Sequence, residues 1–214
     1  ARSVSHSVPK PVAVVVSFPS NPTAQLCGLD FYTELVAFAK KHELWLLSDL
    51  AYAEIYFEGG PPPSILQVKG AKEVAVEFTS LSKTFSMPGW RMGFAVGNQR
   101  LIEALTRIKS YLDYGAFTPI QVAAATALNG SSDCIDKIRG IYRARRDVLI
   151  QSMNRIGWKI PSPPATMFAW APLPEKFKKI GSMEFSKILL QEASVAVAPG
   201  IGFGEYGEGY VRLG

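Results

Sequence analysis

Val12-Ala-Val-Val-Val16 decides the fold. Five consecutive apolar residues, four of them β-branched, are too few for a buried helix and match a strand covered on both faces, as in parallel sheets. A parallel strand needs a crossover. Asp30 can cap a helix over residues 31–41, where Phe31, Leu35, Phe38 and Ala39 recur at helical spacing. Leu44-Trp-Leu-Leu47, Val74-Ala-Val-Glu-Phe78 and Phe94-Ala-Val96 then read as second, third and fourth strands. This alternation predicts an α/β fold with a mixed, mostly parallel sheet flanked by helices.

Working outward, helices are expected over residues 100–111, 119–128 and 133–156. The texture then changes. Pro161, Pro163, Pro164, Pro172 and Pro174 bracket the apolar segment Met167-Phe-Ala-Trp-Ala171, and a helix over residues 182–193 leads into Val195-Ala-Val-Ala198. The expected organisation is a larger unit over residues 1–128 and a smaller α+β unit over 129–214, joined by the long helix.

Composition narrows the function classes. With 214 residues and 48% apolar side chains the chain can bury a core, and no apolar run approaches the ~20 residues of a membrane helix. Residues 1–6 carry no apolar stretch of the kind a secretory leader has. Cys27 and Cys134 are too few for a disulfide scaffold, which fits a reducing cytoplasm. The net charge of +5 and pI near 9.2 permit an anionic partner. The densest basic cluster, Arg139, Arg143, Arg145 and Arg146, lies in a helical stretch with only Tyr142 interleaved and reads as a solvated helix face. Neither nucleic acid nor a membrane is an expected partner, and no metal site is expected.

In open α/β sheets ligands bind at the carboxyl ends of the strands. Here those ends run into Phe18-Pro-Ser-Asn-Pro-Thr23, Asp49-Leu-Ala-Tyr52 and Ser80-Leu-Ser-Lys-Thr84, three polar clusters on one edge. Leu81, Phe85 and Met87 flank Lys83 and predict a partly desolvated amine suited to forming a Schiff base; a solvated lysine is the plain reading. Ser80, Ser82 and Arg91 offer hydroxyls and a forked cation that could hold a phosphate. Asp49 ends an apolar strand and calls for a cation or donors, such as a pyridinium nitrogen. A helix cap for Asp49, a core tyrosine for Tyr52 and a turn residue for Asn21 are the structural alternatives.

Ser20-Asn-Pro-Thr23, Asp49-Leu-Ala-Tyr52 and Ser80-Leu-Ser-Lys-Thr-Phe-Ser-Met-Pro-Gly-Trp-Arg-Met-Gly93 resemble the signatures of class I/II aminotransferases, fold type I pyridoxal phosphate enzymes. The spacings of 28 residues from Asn21 to Asp49, three from Asp49 to Tyr52 and eight from Lys83 to Arg91 match that pattern without gaps. Further segments, including Arg107-Ile-Lys-Ser-Tyr-Leu-Asp-Tyr-Gly115 and Pro199-Gly-Ile-Gly-Phe-Gly204, look closest to bacterial glutamate-pyruvate (alanine) aminotransferases. Aspartate- and diaminopimelate-type enzymes share the core motifs and are the alternatives.

The resemblance implies that Lys83 carries pyridoxal 5′-phosphate as an internal aldimine and shuttles the substrate proton. It likewise implies that Asp49 keeps the ring nitrogen protonated, Tyr52 and Asn21 bind the phenolate oxygen, and Ser80, Ser82 and Arg91 hold the phosphate. Arg212, in Gly209-Tyr-Val-Arg212, matches the arginine that grips the substrate α-carboxylate, and the resemblance also implies a substrate-binding role for Asn21. The implied reaction is amino transfer between L-alanine and 2-oxoglutarate in a cytoplasmic homodimer, with residues 111–118 near the dimer interface. The chain opens a few residues before its first strand and stops within Tyr210-Val-Arg-Leu-Gly214, so a piece of a longer polypeptide is expected, with little turnover alone. Against the family, its N-terminal phosphate loop, ring-stacking aromatic and last helix are missing.

Three rival readings are weaker. Gly202-Phe-Gly-Glu-Tyr-Gly207 fits GxGxxG, but a dinucleotide site needs a helix directly after it, whereas Gly209 interrupts; a mobile glycine loop is expected. Ser80-Leu-Ser-Lys83 fits the SxxK of serine acyltransferases without its partner motifs. The non-enzyme rival is a pyridoxal phosphate-sensing effector domain of a transcription regulator.

Overall fold

The computed structural model describes Val4 and residues 6–214; Ala1, Arg2, Ser3 and Ser5, part of the stretch read for a leader, lie outside the described residues. Four strands form the first sheet in the order β1 (Ala13–Ser17), β2 (Trp45–Asp49), β3 (Ala75–Ser80) and β4 (Gly93–Gly97). β1, β2 and β3 run parallel, and β4 returns antiparallel to β3. The expected α/β class with a mostly parallel sheet is what forms.

Helix α1 (Leu29–His42) connects β1 to β2 and covers one sheet face with Tyr32, Val36 and Ala39, which pack with Leu44, Leu46, Ile65 and Ala75. Its start differs from expectation. Gly28 occupies the N-cap without a side-chain hydrogen bond, and Asp30 lies inside the first turn, where its charge still complements the helix dipole. Two-faced burial of β1 also fails. Strand alternation turns Val14 and Val16 toward the α1 core, while Val15, pointing to the other face, stays 69% exposed.

One buried carboxylate escaped the sequence reading. Glu77, in the middle of β3, accepts hydrogen bonds from Ser64 Oγ at 2.6 Å, the Ile65 N–H at 3.0 Å and Ser48 Oγ at 3.3 Å. These donors replace the water lost on burial.

The chain continues through the one-turn helix α2 (Leu81–Thr84), then α3 (Gln99–Leu112), α4 (Thr118–Asn129) and the long α5 (Asp133–Arg155). The second sheet is antiparallel, ordered β5 (Ala169–Pro172), β7 (Tyr210–Leu213), β6 (Ala198–Pro199). Helix α6 (Gly181–Ala193) packs Phe185 against Ile160, Leu173 and Val211 beneath it. Of Val195-Ala-Val-Ala198, only the last residue pairs as strand. The glycine run after it folds as two short 3-10 turns, Gly200–Phe203 and Glu205–Gly207.

Of the four clustered arginines of α5, Arg143 and Arg145 are exposed as expected, while the other two depart from the expected role. Arg139 and Arg146 are only 14% and 12% exposed; they pair with Glu54 and Glu58 and lie 4.0 Å from the Tyr56 ring and 4.6 Å from the Phe57 ring. Ion pairing and cation–π packing through these two side chains thus fasten α5 to the segment after β2. That segment also bonds to the stretch before β5, through the Phe57 N–H to the Pro164 carbonyl and the Thr166 N–H to the Ile55 carbonyl, both 2.8 Å. Among the described residues no helix is long and apolar enough to cross a membrane.

Candidate active site

Parallel pairing aligns the ends of β1, β2 and β3. Ser17 lies opposite Asp49, and Asp49 opposite Phe78, so the segments after each strand leave from one edge. Asp49 is exposed there. Its Oδ1 accepts the Ala51 N–H at 3.1 Å, and its Oδ2 accepts from Ser17 Oγ at 3.5 Å. The carboxylate therefore ends an apolar strand without being buried, and an Asx-type turn aims the chain toward Tyr52.

Tyr52 is the buried centre of the constellation. Its ring meets Phe168 edge-on at 5.7 Å between centroids, and the Lys83 Nζ lies 5.9 Å from the Tyr52 centroid. Burial pushes the Tyr52 hydroxyl above its ordinary range; the Asp49 carboxylate adds to this and the Arg212 guanidinium opposes it. The hydroxyl therefore feels both charges, one from each sheet.

Lys83 sits half-buried on the one-turn helix that directly continues β3. Ser80 caps that turn, its Oγ accepting the Ser82 N–H at 3.2 Å. Arg91 is brought back to this point by the β3–β4 pairing, in which Ser80 faces Gly93 and the Leu81 N–H bonds to the Met92 carbonyl at 3.1 Å. Arg91 adopts a left-handed conformation with φ 52°, and its Nη1 donates to the Pro88 carbonyl at 2.9 Å. Two serines, an arginine and a lysine thus occupy one short stretch of the sheet edge.

Arg212 arrives from the second sheet. Its Nη1 donates to Asn21 Oδ1 at 2.8 Å, a contact across 191 positions. The guanidinium carbon lies 4.4 Å from the Phe168 centroid and 5.0 Å from that of Phe203. Sequence reading found Asn21 and Arg212 but missed these two rings and Ser17. Phe168 stood inside a segment noted only as apolar, Phe203 inside a glycine run, and Ser17 carried the one available signal, a hydroxyl at a strand's carboxyl end.

Comparison with known proteins gives this arrangement its context. The sequence profile for aminotransferase class I and II matches residues 2–214. AatC of Rhizobium meliloti (strain 1021), named as an aminotransferase, is 66% identical over 212 residues, covering 99% of this chain and 52% of AatC. The glutamate-pyruvate aminotransferase AlaC of Escherichia coli (strain K12) is 52% identical over the same shares of the two chains. The solved structure of BacF from Bacillus subtilis superposes with a TM-score of 0.91 at 37% identity, covering 95% of this chain and 51% of BacF. The chain spans about half the length of the curated relatives it matches, at 52% of each. These likenesses replace the serine-acyltransferase reading of Ser80 and Lys83. Since the match extends over residues 2–214 and the fold agrees, the chain belongs to the family of class I and II aminotransferases.

Proposed function

We propose that the protein containing this chain transfers the amino group between L-alanine and 2-oxoglutarate by a ping-pong mechanism, with pyridoxal 5′-phosphate as cofactor. The observation that carries the reading is the convergence on Tyr52 of Asp49, Lys83 and Arg212, the last fastened to Asn21. Likeness to AlaC supports alanine over the aspartate and diaminopimelate alternatives.

The donor set fits the cofactor. Lys83 provides an amine for an aldehyde, Asp49 an exposed carboxylate for a protonated ring nitrogen, and Ser80, Ser82 and Arg91 the hydroxyls and guanidinium for a phosphate. When bound, pyridoxal phosphate supplies an electron sink for negative charge at the substrate α-carbon. Lys83 holds the cofactor and, once its amine is released, moves the proton at that carbon. Tyr52 and Asn21 orient the ring oxygen. Arg212 grips the substrate carboxylate with its planar fork, which the rings of Phe168 and Phe203 keep in place.

Residues 1–128 would belong to the cofactor-binding domain and 129–214 to the smaller one, whose closure carries Arg212 to the substrate. A cytoplasmic homodimer is part of the same proposal. Tyr111, Leu112, Tyr114 and Phe117 form an exposed apolar stretch, Tyr114 at 92%, which suits a subunit interface.

The test is an absorbance spectrum with pyridoxal phosphate before and after borohydride, followed by peptide mapping and by addition of L-alanine. A reduced adduct confined to Lys83 and conversion of the cofactor by alanine are expected. Labelling spread over surface lysines, or conversion by aspartate or diaminopimelate and not alanine, would overturn the cofactor and substrate assignments respectively.

A further inference from the structure

The two rings that flank Arg212 are held very differently. Phe168 belongs to a buried cluster with Tyr52, Ile55 and Phe57, and its N–H is bonded to Thr166 Oγ1 at 3.1 Å. Phe203 stands on the Gly200–Phe203 turn and is 40% exposed. Its place against the guanidinium therefore depends on what anchors that turn.

The anchor is a carboxylate. Glu208 Oε1 accepts the Ser182 N–H at 2.6 Å and the Gly209 N–H at 2.8 Å, while Oε2 accepts from Ser182 Oγ at 3.0 Å. The same fully buried serine hydroxyl accepts the Ile201 N–H at 3.1 Å, so one chain of bonds links residues 201, 208 and 209 to the first turn of α6. Gly200 and Gly207 close the turn back to back, with the backbone of each filling the space a side chain on the other would need. A negative charge at a helix N-terminus is favourable in its own right. The N–H groups of Gly209 and Ser182 hold the Glu208 carboxyl below the usual carboxylate range, so the acceptor is ionised at neutral pH.

We propose that Glu208 is a positioning residue for Arg212: by tying residues 200–209 to helix α6 it holds the Phe203 ring against the guanidinium that meets the substrate carboxylate. The inference rests on the functional reading above and adds a residue to it. Glu208 is exposed, and water can take over its bonds to Gly209 and Ser182, so losing it costs alignment more than folding. Amino acid and 2-oxo acid both present a carboxylate to Arg212, so both should feel the loss.

The experiment compares Glu208→Ala and Glu208→Gln with the parent in the cofactor-loaded protein as encoded, measuring kcat, KM for L-alanine and 2-oxoglutarate, melting temperature and hydrogen exchange over residues 200–212. Glu208→Ala should raise both KM values about fivefold with kcat within about twofold, the signature of lost ground-state binding. Exchange in the turn should quicken. Glu208→Gln keeps one acceptor oxygen and should restore most of the KM. Unchanged KM values in Glu208→Ala, or a fall in kcat that tracks a lowered melting temperature, would overturn the proposal. A parent protein that turns over neither alanine nor any other amino acid would break the functional reading instead.

Discussion

The first sheet offers its candidate residues from the last positions of its strands and the segments just after them, whereas the second offers Arg212 from the middle of one. Parallel strands in register deliver their following segments to the same edge, so Asp49, Tyr52, Ser80 and Lys83 come together through pairing that the core already requires. Arg212 has no such guarantee. It sits mid-strand in β7, opposite Trp170 and Ala198, and reaches the edge only through Asn21 and two aromatic rings. A parallel edge builds a fixed chemical centre, and an antiparallel sheet can bring one well-aimed cation to it.

Substitutions can break this comparison. The largest effect belongs to the fixed edge: Lys83→Ala should abolish the absorbance of bound cofactor and lower kcat by at least about 10³-fold, read by spectroscopy and steady-state assay. A retained adduct would show that another amine does the work. Arg212→Ala should act on binding, raising KM for every amino acid alike by between about 30- and 150-fold, the loss of a charged fork contact worth ~2–3 kcal/mol. An increase limited to one substrate would place Arg212 at a side-chain pocket and not at the common carboxylate.

The smallest catalytic effect, and a clear structural one, is expected at Glu77. Glu77→Ala strips the acceptor from Ser48, Ser64 and the Ile65 N–H and should lower unfolding stability by about 2–4 kcal/mol in denaturant titration, with KM unchanged. A change in KM would show that the core under the parallel edge sets the site's geometry as well as its stability.

Much of the parallel edge was legible in the sequence because its signals are local. A β-branched run, a helix period and a polar cluster at a strand's end each lie within a dozen residues, and the spacing from Asn21 to Arg91 holds without gaps. Boundaries near caps were less legible: Asp30 is a good capping residue, yet the helix begins at Leu29 with Gly28 at its N-cap. Composition also misled where a charge pattern had two physical outcomes. Arg139 and Arg146 of α5 could lie in water or on aromatic rings, and only the position of Tyr56 and Phe57 decided between them.

By itself the sequence determined the α/β alternation and the order of motifs along it, together with the residue types able to do the chemistry, because these follow from side-chain periodicity and short-range turn geometry. Tertiary structure alone decided that Arg212 meets Asn21 across 191 positions and that Phe168 and Phe203 flank its guanidinium. It also decided that Glu208 fastens the turn carrying Phe203. Such contacts are set by how two sheets and a long helix pack, and packing depends on residues far apart in the chain whose partnership no local spacing encodes.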